Sequence, residues 1–265
     1  MTKQYLENAI KDCELRGEKA FVSYIMAGDG GLQTLKRNIL FLQEAGVTAI
    51  EIGIPFSDPV ADGPAIQVAG ERALAQGVTL RSVVKEIATF TKELTVPLVI
   101  MTYLNPVIQY GIAKFVDDCT KSKISGLIVP DMPFEESGLL RDALRDANIA
   151  LVPLVSLTSP PERIKKITEA AEGFIYAVTV NGTTGVRDGF DDNLGIHLQQ
   201  LKEMSQVPVL AGFGISTPEQ VQSIGALCDG VIVGSAIVNA LHQEEMEKIK
   251  QLIGASKSKV LSTLK

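Results

Sequence analysis

Apolar residues recur along this chain in two rhythms that take turns. From Thr48 to Ile54 they alternate, with Ile50, Ile52 and Ile54 on one side and Ala49, Glu51 and Gly53 on the other, which predicts a half-buried strand. Elsewhere the spacing is three and four. Leu6, Ile10 and Cys13 predict an opening amphipathic helix from Gln4 to Arg16, and Leu32, Leu35, Ile39 and Leu42 predict another from Leu32 to Ala45, stopped by Gly46. One unit then repeats: a short apolar strand, a loop of Gly, Pro or Asp, and a helix ending near Gly or Asn. The strands read as Phe21 to Met26, Ala49 to Ile54, Pro97 to Thr102, Gly126 to Pro130, Ala150 to Val155, Phe174 to Thr179, Pro208 to Gly212 and Gly230 to Gly234. Eight strands alternating with helices imply a parallel α/β sheet. Eight such units in 265 residues favour closure into a (β/α)8 TIM barrel, which takes about 250, over an open doubly wound sheet.

Further helices decorate that plan. The opening helix is expected to plug the bottom of the barrel, and Leu80 to Glu93, with Val83, Ile87 and Phe90 in helical register, is an inserted helix. Ser216-Thr217-Pro218-Glu219 carries a capping box with proline in the first turn. No Ser/Gly-rich linker interrupts the chain, so residues 1–265 are expected to form one domain. The stretch from Val180 to Asp192, with Gly182, Gly185 and Gly189, is long for a strand-to-helix connection and reads as a lid or as an ordinary loop.

Composition narrows the classes. Apolar residues make up 46% and charged residues 21%, enough for a sizeable core and unlike a disordered chain. A net charge of −6 argues against nonspecific nucleic-acid binding. Cys13, Cys119 and Cys228 form no Cys-x-x-Cys pair, which points to a reducing compartment without structural zinc. The N-terminus, with Lys3, Glu7, Lys11 and Asp12 among its early residues, lacks the apolar core of a signal peptide and no run reaches membrane-spanning length, so a cytoplasmic protein is expected.

The candidate chemistry lies in Glu51 to Gly63, Glu-Ile-Gly-Ile-Pro-Phe-Ser-Asp-Pro-Val-Ala-Asp-Gly. Glu51 sits in an apolar strand, where a carboxylate loses hydration and needs a partner or a raised pKa. Pro55 and Pro59 stiffen the exit, and Asp62 arrives on a constrained loop. The plain alternatives are a lysine-paired carboxylate for Glu51 and a turn residue for Asp62. Together they form a pair that can divide acid and base work. Gly212-Phe213-Gly214-Ile215-Ser216 leaves strand seven and Val233-Gly234-Ser235-Ala236 leaves strand eight into a helix. These are tight turns, or the place where barrels bind phosphate through backbone N–H groups and a helix N-terminus.

This segment resembles the signature of the tryptophan synthase alpha chain family, which cleaves indole-3-glycerol phosphate to indole and glyceraldehyde 3-phosphate. The resemblance implies that Glu51 and Asp62 are the catalytic carboxylates, and that Gly185, Gly214, Gly234 and Ser235 hold the phosphate. It nominates Phe21, Met101, Ile128 and Tyr176 as walls of the indole slot, positions that barrel packing alone would also explain. Further matches are Pro130 to Ser137 and Met101 to Gly111. Two departures exist: the lid reads Gly182-Thr183-Thr184-Gly185 in place of Gly-Val-Thr-Gly, and Gly30 stands where proline is common. Thr184 still aligns with the threonine that meets the loop aspartate on closure.

The implied reaction is a retro-aldol cleavage with no cofactor in this chain. A Schiff-base lysine is absent from the strand ends, and the only histidines, His197 and His242, lie far apart in helices. The resemblance also implies a partner: the tryptophan synthase beta chain, which carries pyridoxal phosphate, in an alpha2-beta2 assembly. Pro55, Phe56, Asp58 and Asn105 match the family's contact surface. Two other readings stay open: another phosphosugar barrel such as an isomerase, and a catalytically silent activating subunit.

Overall fold

In the computed structural model, which describes residues 2–156, 158–178, 192–212 and 214–257, the chain enters through α1 (Lys3–Leu15), started by Thr2, whose hydroxyl accepts the Tyr5 N–H. Its apolar face, Leu6, Ile10 and Cys13, is buried. Lys3 N–H donates to the Asn148 carbonyl at 2.9 Å, Lys3 Nζ pairs with Glu172 at 2.6 Å, and Glu7 accepts the Gly173 N–H at 3.1 Å. Asn148 and Gly173 precede the fifth and sixth strands of the repeat, so α1 closes the lower end as expected.

The strands are β1 (Ala20–Met26), β2 (Ala49–Gly53), β3 (Leu98–Met101), β4 (Ile124–Ile128), β5 (Ala150–Leu151), β6 (Leu154–Ser156), β7 (Ile175–Val178), β8 (Val209–Gly212) and β9 (Gly230–Val233). All pairings are parallel, in the order β5-β4-β3-β2-β1-β9-β8-β7-β6. The fifth expected strand is thus two short ones. Pro153, which has no N–H to give a ladder, sits at the break. Val152 N–H still donates to Leu127 and the Pro153 carbonyl still accepts from Tyr176. The two ends of the sheet are consecutive pieces of one strand, and the sheet closes through them into the barrel.

Between the strands run α2 (Thr34–Ala45), α3 (Pro64–Ala75), α4 (Leu80–Thr89), α5 (Leu104–Tyr110), α6 (Ile112–Lys121), α7 (Gly138–Asp146), α8 (Pro161–Glu169), α9 (Asp192–Met204) and α10 (Pro218–Gly225), and after β9 come α11 (Ser235–His242) and α12 (Met246–Lys257). α4 ends at Thr89, short of the expected Glu93. The expectation that β2 is half-buried is corrected: all five of its residues are buried. Barrel strands face packed side chains within and helices without, so alternation in β2 separates two buried faces.

Candidate functional site

Register decides which side chains meet inside the barrel. Tyr24 pairs with Glu51, Met26 with Gly53, Glu51 with Val99 and Gly53 with Met101, so these residues share the inner face. Of these, Tyr24, Glu51 and Met101 line a cavity of about 270 Å³ at the upper end, together with Asp62, Tyr176 and Ser235 among others. Two glycines make room for the aromatic rings. A side chain on Gly53 would collide with the Tyr24 hydroxyl, and one on Gly212 with the Tyr176 ring.

Glu51 is fully buried, and neither carboxyl oxygen has a hydrogen-bond partner among the described residues. Burial, and then the charge of Asp62, push its pKa up from 4.5 to about 8. A lysine-paired carboxylate would look quite different. Asp62, at the end of the loop after β2, is raised from 3.8 to about 6 by burial, against a hydrogen bond from the Tyr103 hydroxyl that lowers it. Around neutral pH one carboxyl is protonated and the other ionised, the division of labour that acid and base work requires. Tyr24 and Tyr176 are both held well above the usual phenol range, by burial first and then by Asp62 and Glu51.

The two phosphate-type turns differ. At α10, Thr217 and Gln220 form the capping box, and Gln220 Oε1 also accepts from the N–H groups of Ser216 and Thr217, at 2.8 and 3.3 Å. Those donors are occupied. α11 begins at Ser235, at the cavity end of the barrel, and among the described residues no side chain caps it. Gly214, at φ +78°, Gly234 and Ser235 all line the cavity, the arrangement an anion calls for.

The cavity gathers Glu51, Asp62, Met101, Tyr176, Gly214, Gly234 and Ser235. Phe21 is corrected: it lies in the opposite phase of β1 from Tyr24, facing away from the barrel axis, and the aromatic wall from β1 is Tyr24. Ile128 pairs with Met101 on the inner face but does not line the cavity. Thr184 and Gly185 lie outside the described residues, as does most of the expected lid. Tyr24 and Tyr103 are the additions. Tyr24 is identified by the register of β1 against β2, in which Val22, Tyr24 and Met26 share the phase of Ala49, Glu51 and Gly53.

The expected partner residues lie at the rim of the same end. Pro55 is buried, Phe56 is partly exposed and stacked on Tyr103, and Asp58 and Asn105 are exposed. Val60 and Ile108 beside them are large apolar side chains in solvent, 76% and 51% exposed. Among the described residues no helix is long and apolar enough to cross a membrane.

A family model described as tryptophan synthase alpha chain matches residues 10–262. The tryptophan synthase alpha chain of Bacillus anthracis is 52% identical over 250 residues, covering 94% of this chain and 97% of that one. The alpha chain of a Bacillus cereus strain is 53% identical over 243 residues, covering 92% and 94%. Among solved structures, Mycobacterium tuberculosis tryptophan synthase superposes with a TM-score of 0.87 at 32% identity, covering 96% and 97%. The alpha subunit of Legionella pneumophila superposes with a TM-score of 0.86 at 30% identity, covering 98% of both chains.

Proposed function

The chain belongs to the tryptophan synthase alpha chain family, and from that premise we infer that Glu51 and Asp62 carry its reaction. The family's activity is the lyase cleavage of indole-3-glycerol phosphate to indole and glyceraldehyde 3-phosphate in tryptophan biosynthesis. It needs no cofactor in the alpha chain, and its beta-chain partner holds pyridoxal phosphate.

The reaction needs a proton at indole C3, stabilisation at the ring nitrogen, and loss of the hydroxyl proton from the carbon bonded to C3 as that carbon–carbon bond breaks. Glu51, protonated, donates to C3 and, once ionised, accepts the hydroxyl proton. The bonding pair returns to the indole ring, the hydroxyl carbon becomes the aldehyde, and protons balance. Asp62, ionised, accepts the hydrogen bond of the indole N–H. The aromatic ring lies against Tyr24, Met101 and Tyr176, and the phosphate on the uncapped start of α11 with Gly214, Gly234 and Ser235. Thr184 and Gly185 keep their place in this reading as lid contacts.

The observation that carries the reading is the fully buried carboxyl of Glu51, unpartnered among the described residues and opening into the cavity. Pro55, Phe56, Asp58 and Asn105 form the partner contact, with Val60 and Ile108 as neighbours. We further read residues 1–265 as one domain acting in the cytoplasm, in keeping with the continuous buried cluster that the described residues form through the barrel and the three unpaired cysteines.

The test is indole release from indole-3-glycerol phosphate by the purified chain, with and without a beta chain. Glu51→Gln keeps the shape and removes the proton, and turnover should fall by about 10²- to 10⁴-fold. A variant within a few fold of the parent would reject the assignment.

A further inference from the structure

The residues from Ala61 to Ile66 all line the cavity, so its wall passes without a break from the Asp62 loop into the first turn of α3. Gly63 is the N-cap of that helix and Pro64 its first residue. The Asp62 N–H donates to the Pro59 carbonyl at 3.1 Å. Across the joint, Gln67 Nε2 donates to the Asp62 carbonyl at 2.8 Å, five positions back along the chain. Gln67 is partly buried and does not itself line the cavity. Further along α3, Arg72 grips Asp29, in the loop after β1, with both arms of its guanidinium. Nε meets Oδ1 and Nη2 meets Oδ2, each at 2.7 Å. The Asp29 side chain is only 12% exposed, and the His242 imidazole lies 3.9 Å from the same carboxylate.

We propose that α3 is the strut that sets the place of Asp62, with Gln67 as its near clamp and Arg72, through Asp29, as its far anchor. Both are positioning residues, and the proposal rests on the reading that Asp62 meets the indole N–H. Gly63, the one residue between Asp62 and the helix, has no side chain to limit the turn at that joint. The Gln67 amide spans it, so the peptide after Asp62 cannot rotate without leaving a partly buried carbonyl unpaired.

A clamp of that kind is only as well placed as the helix that carries it. A bidentate pair fixes direction as well as distance, and the Arg72–Asp29 pair fastens α3 to the loop that leaves β1. β1 is the register partner of β2, which carries Glu51. The two carboxylates are thereby referred to one frame: Glu51 directly by β2, and Asp62 by way of α3, Asp29 and β1. Shifts of about 1 Å in a group that meets the reacting molecule are enough to slow a reaction severely.

The experiment is steady-state kinetics and thermal melting of the full chain carrying Gln67→Met, Arg72→Lys or both. Methionine keeps the length and helix propensity of glutamine and removes the donor, and lysine keeps the charge of arginine and loses the fork. We expect kcat to fall about tenfold in Gln67→Met and about threefold in Arg72→Lys, with KM for indole-3-glycerol phosphate within about twofold of the parent. Gln67→Glu, which suits a helix's first turn but cannot donate once ionised, should lose kcat as Gln67→Met does while melting no lower than the parent. The combined variant should be about as slow as Gln67→Met alone, because the far anchor acts through the near clamp. A multiplicative fall would overturn the strut, and parent-like kcat in a folded Gln67→Met would overturn the clamp. Parent-like kcat in Arg72→Lys would strike the far anchor, and a raised KM at constant kcat would place these side chains at the substrate instead. Failure of the underlying reading looks different: Asp62→Asn would then keep its turnover within a few fold, whereas failure of the strut alone leaves Asp62→Asn inactive beside an active Gln67→Met.

Discussion

The two ends of this barrel treat a carboxylate in opposite ways. At the lower end Asp229, just before β9, accepts the Val209 N–H at 2.8 Å and pairs with Lys202 at 2.7 Å. At the upper end Glu51, in the middle of β2, is more deeply buried and has no partner among the described residues for either oxygen. Removing a carboxyl from water is unfavourable unless hydrogen bonds or an opposite charge compensate it. Asp229 is compensated and joins two strands to a helix. Glu51, uncompensated among the described residues, faces an open cavity, so its cost is borne by the fold for the sake of what enters there.

Glu51→Gln sharpens this contrast most, because turnover and stability should move in opposite directions. A folded pKa raised from 4.5 to about 8 means that the folded state holds the proton more tightly than the unfolded chain. The stability that follows is fully present below pH 4.5 and is lost as pH rises through about 8. Asp62, raised from 3.8 to about 6, acts in the same direction over a lower window. Glutamine stays neutral throughout. Urea unfolding should find the variant equal to the parent in mild acid and more stable in mild base, by about 3 to 5 kcal/mol. Equal stability at both pH values would mean that the carboxyl is compensated after all.

Leu6→Ala probes the other end. Leu6 is fully buried on the inner face of α1, and its truncation should cost about 2 to 5 kcal/mol. Its effect on kcat/KM measured well below the melting temperature should be negligible. A large change in kcat/KM with the fold intact would mean that the lower plug communicates with the site, and that the two ends are not independent.

Much of this division was legible in the chain itself. Period-two alternation placed Glu51 in a strand, and eight repeats of strand, loop and helix gave the barrel. The phase of β1 was not legible. All seven of its residues are buried, so burial does not mark which face is inside, and only the register, which pairs Tyr24 with Glu51, gives the inner place to Tyr24 and not to Phe21. Pro153 signalled a break in the fifth strand that an apolar run from Ala150 to Val155 concealed. α5 was missed because Pro106 breaks the helical rhythm of a seven-residue stretch, although proline is well tolerated in a helix's first turn. Tyr103 could not be found by any local rhythm, because its partners come from a loop 42 positions away.

The smallest expected effect separates binding from folding at the upper end alone. Ser235 opens α11, an eight-residue helix without a side-chain cap, on the cavity wall. An acid there suits the positive end of the helix dipole, and Ser235→Asp should leave stability unchanged or raise it by about 0.3 to 1 kcal/mol. The same charge opposes a phosphate held by those N–H groups. KM for indole-3-glycerol phosphate should therefore rise by about tenfold or more, inhibition by inorganic phosphate should weaken in parallel, and kcat should change little, since the carboxylates are untouched. Steady-state kinetics and thermal melting on one preparation read both sides. If KM stays fixed while the helix gains stability, the phosphate sits elsewhere on the rim. If stability falls, Ser235 serves the fold as Asp229 does, and the contrast between the two ends weakens at this residue.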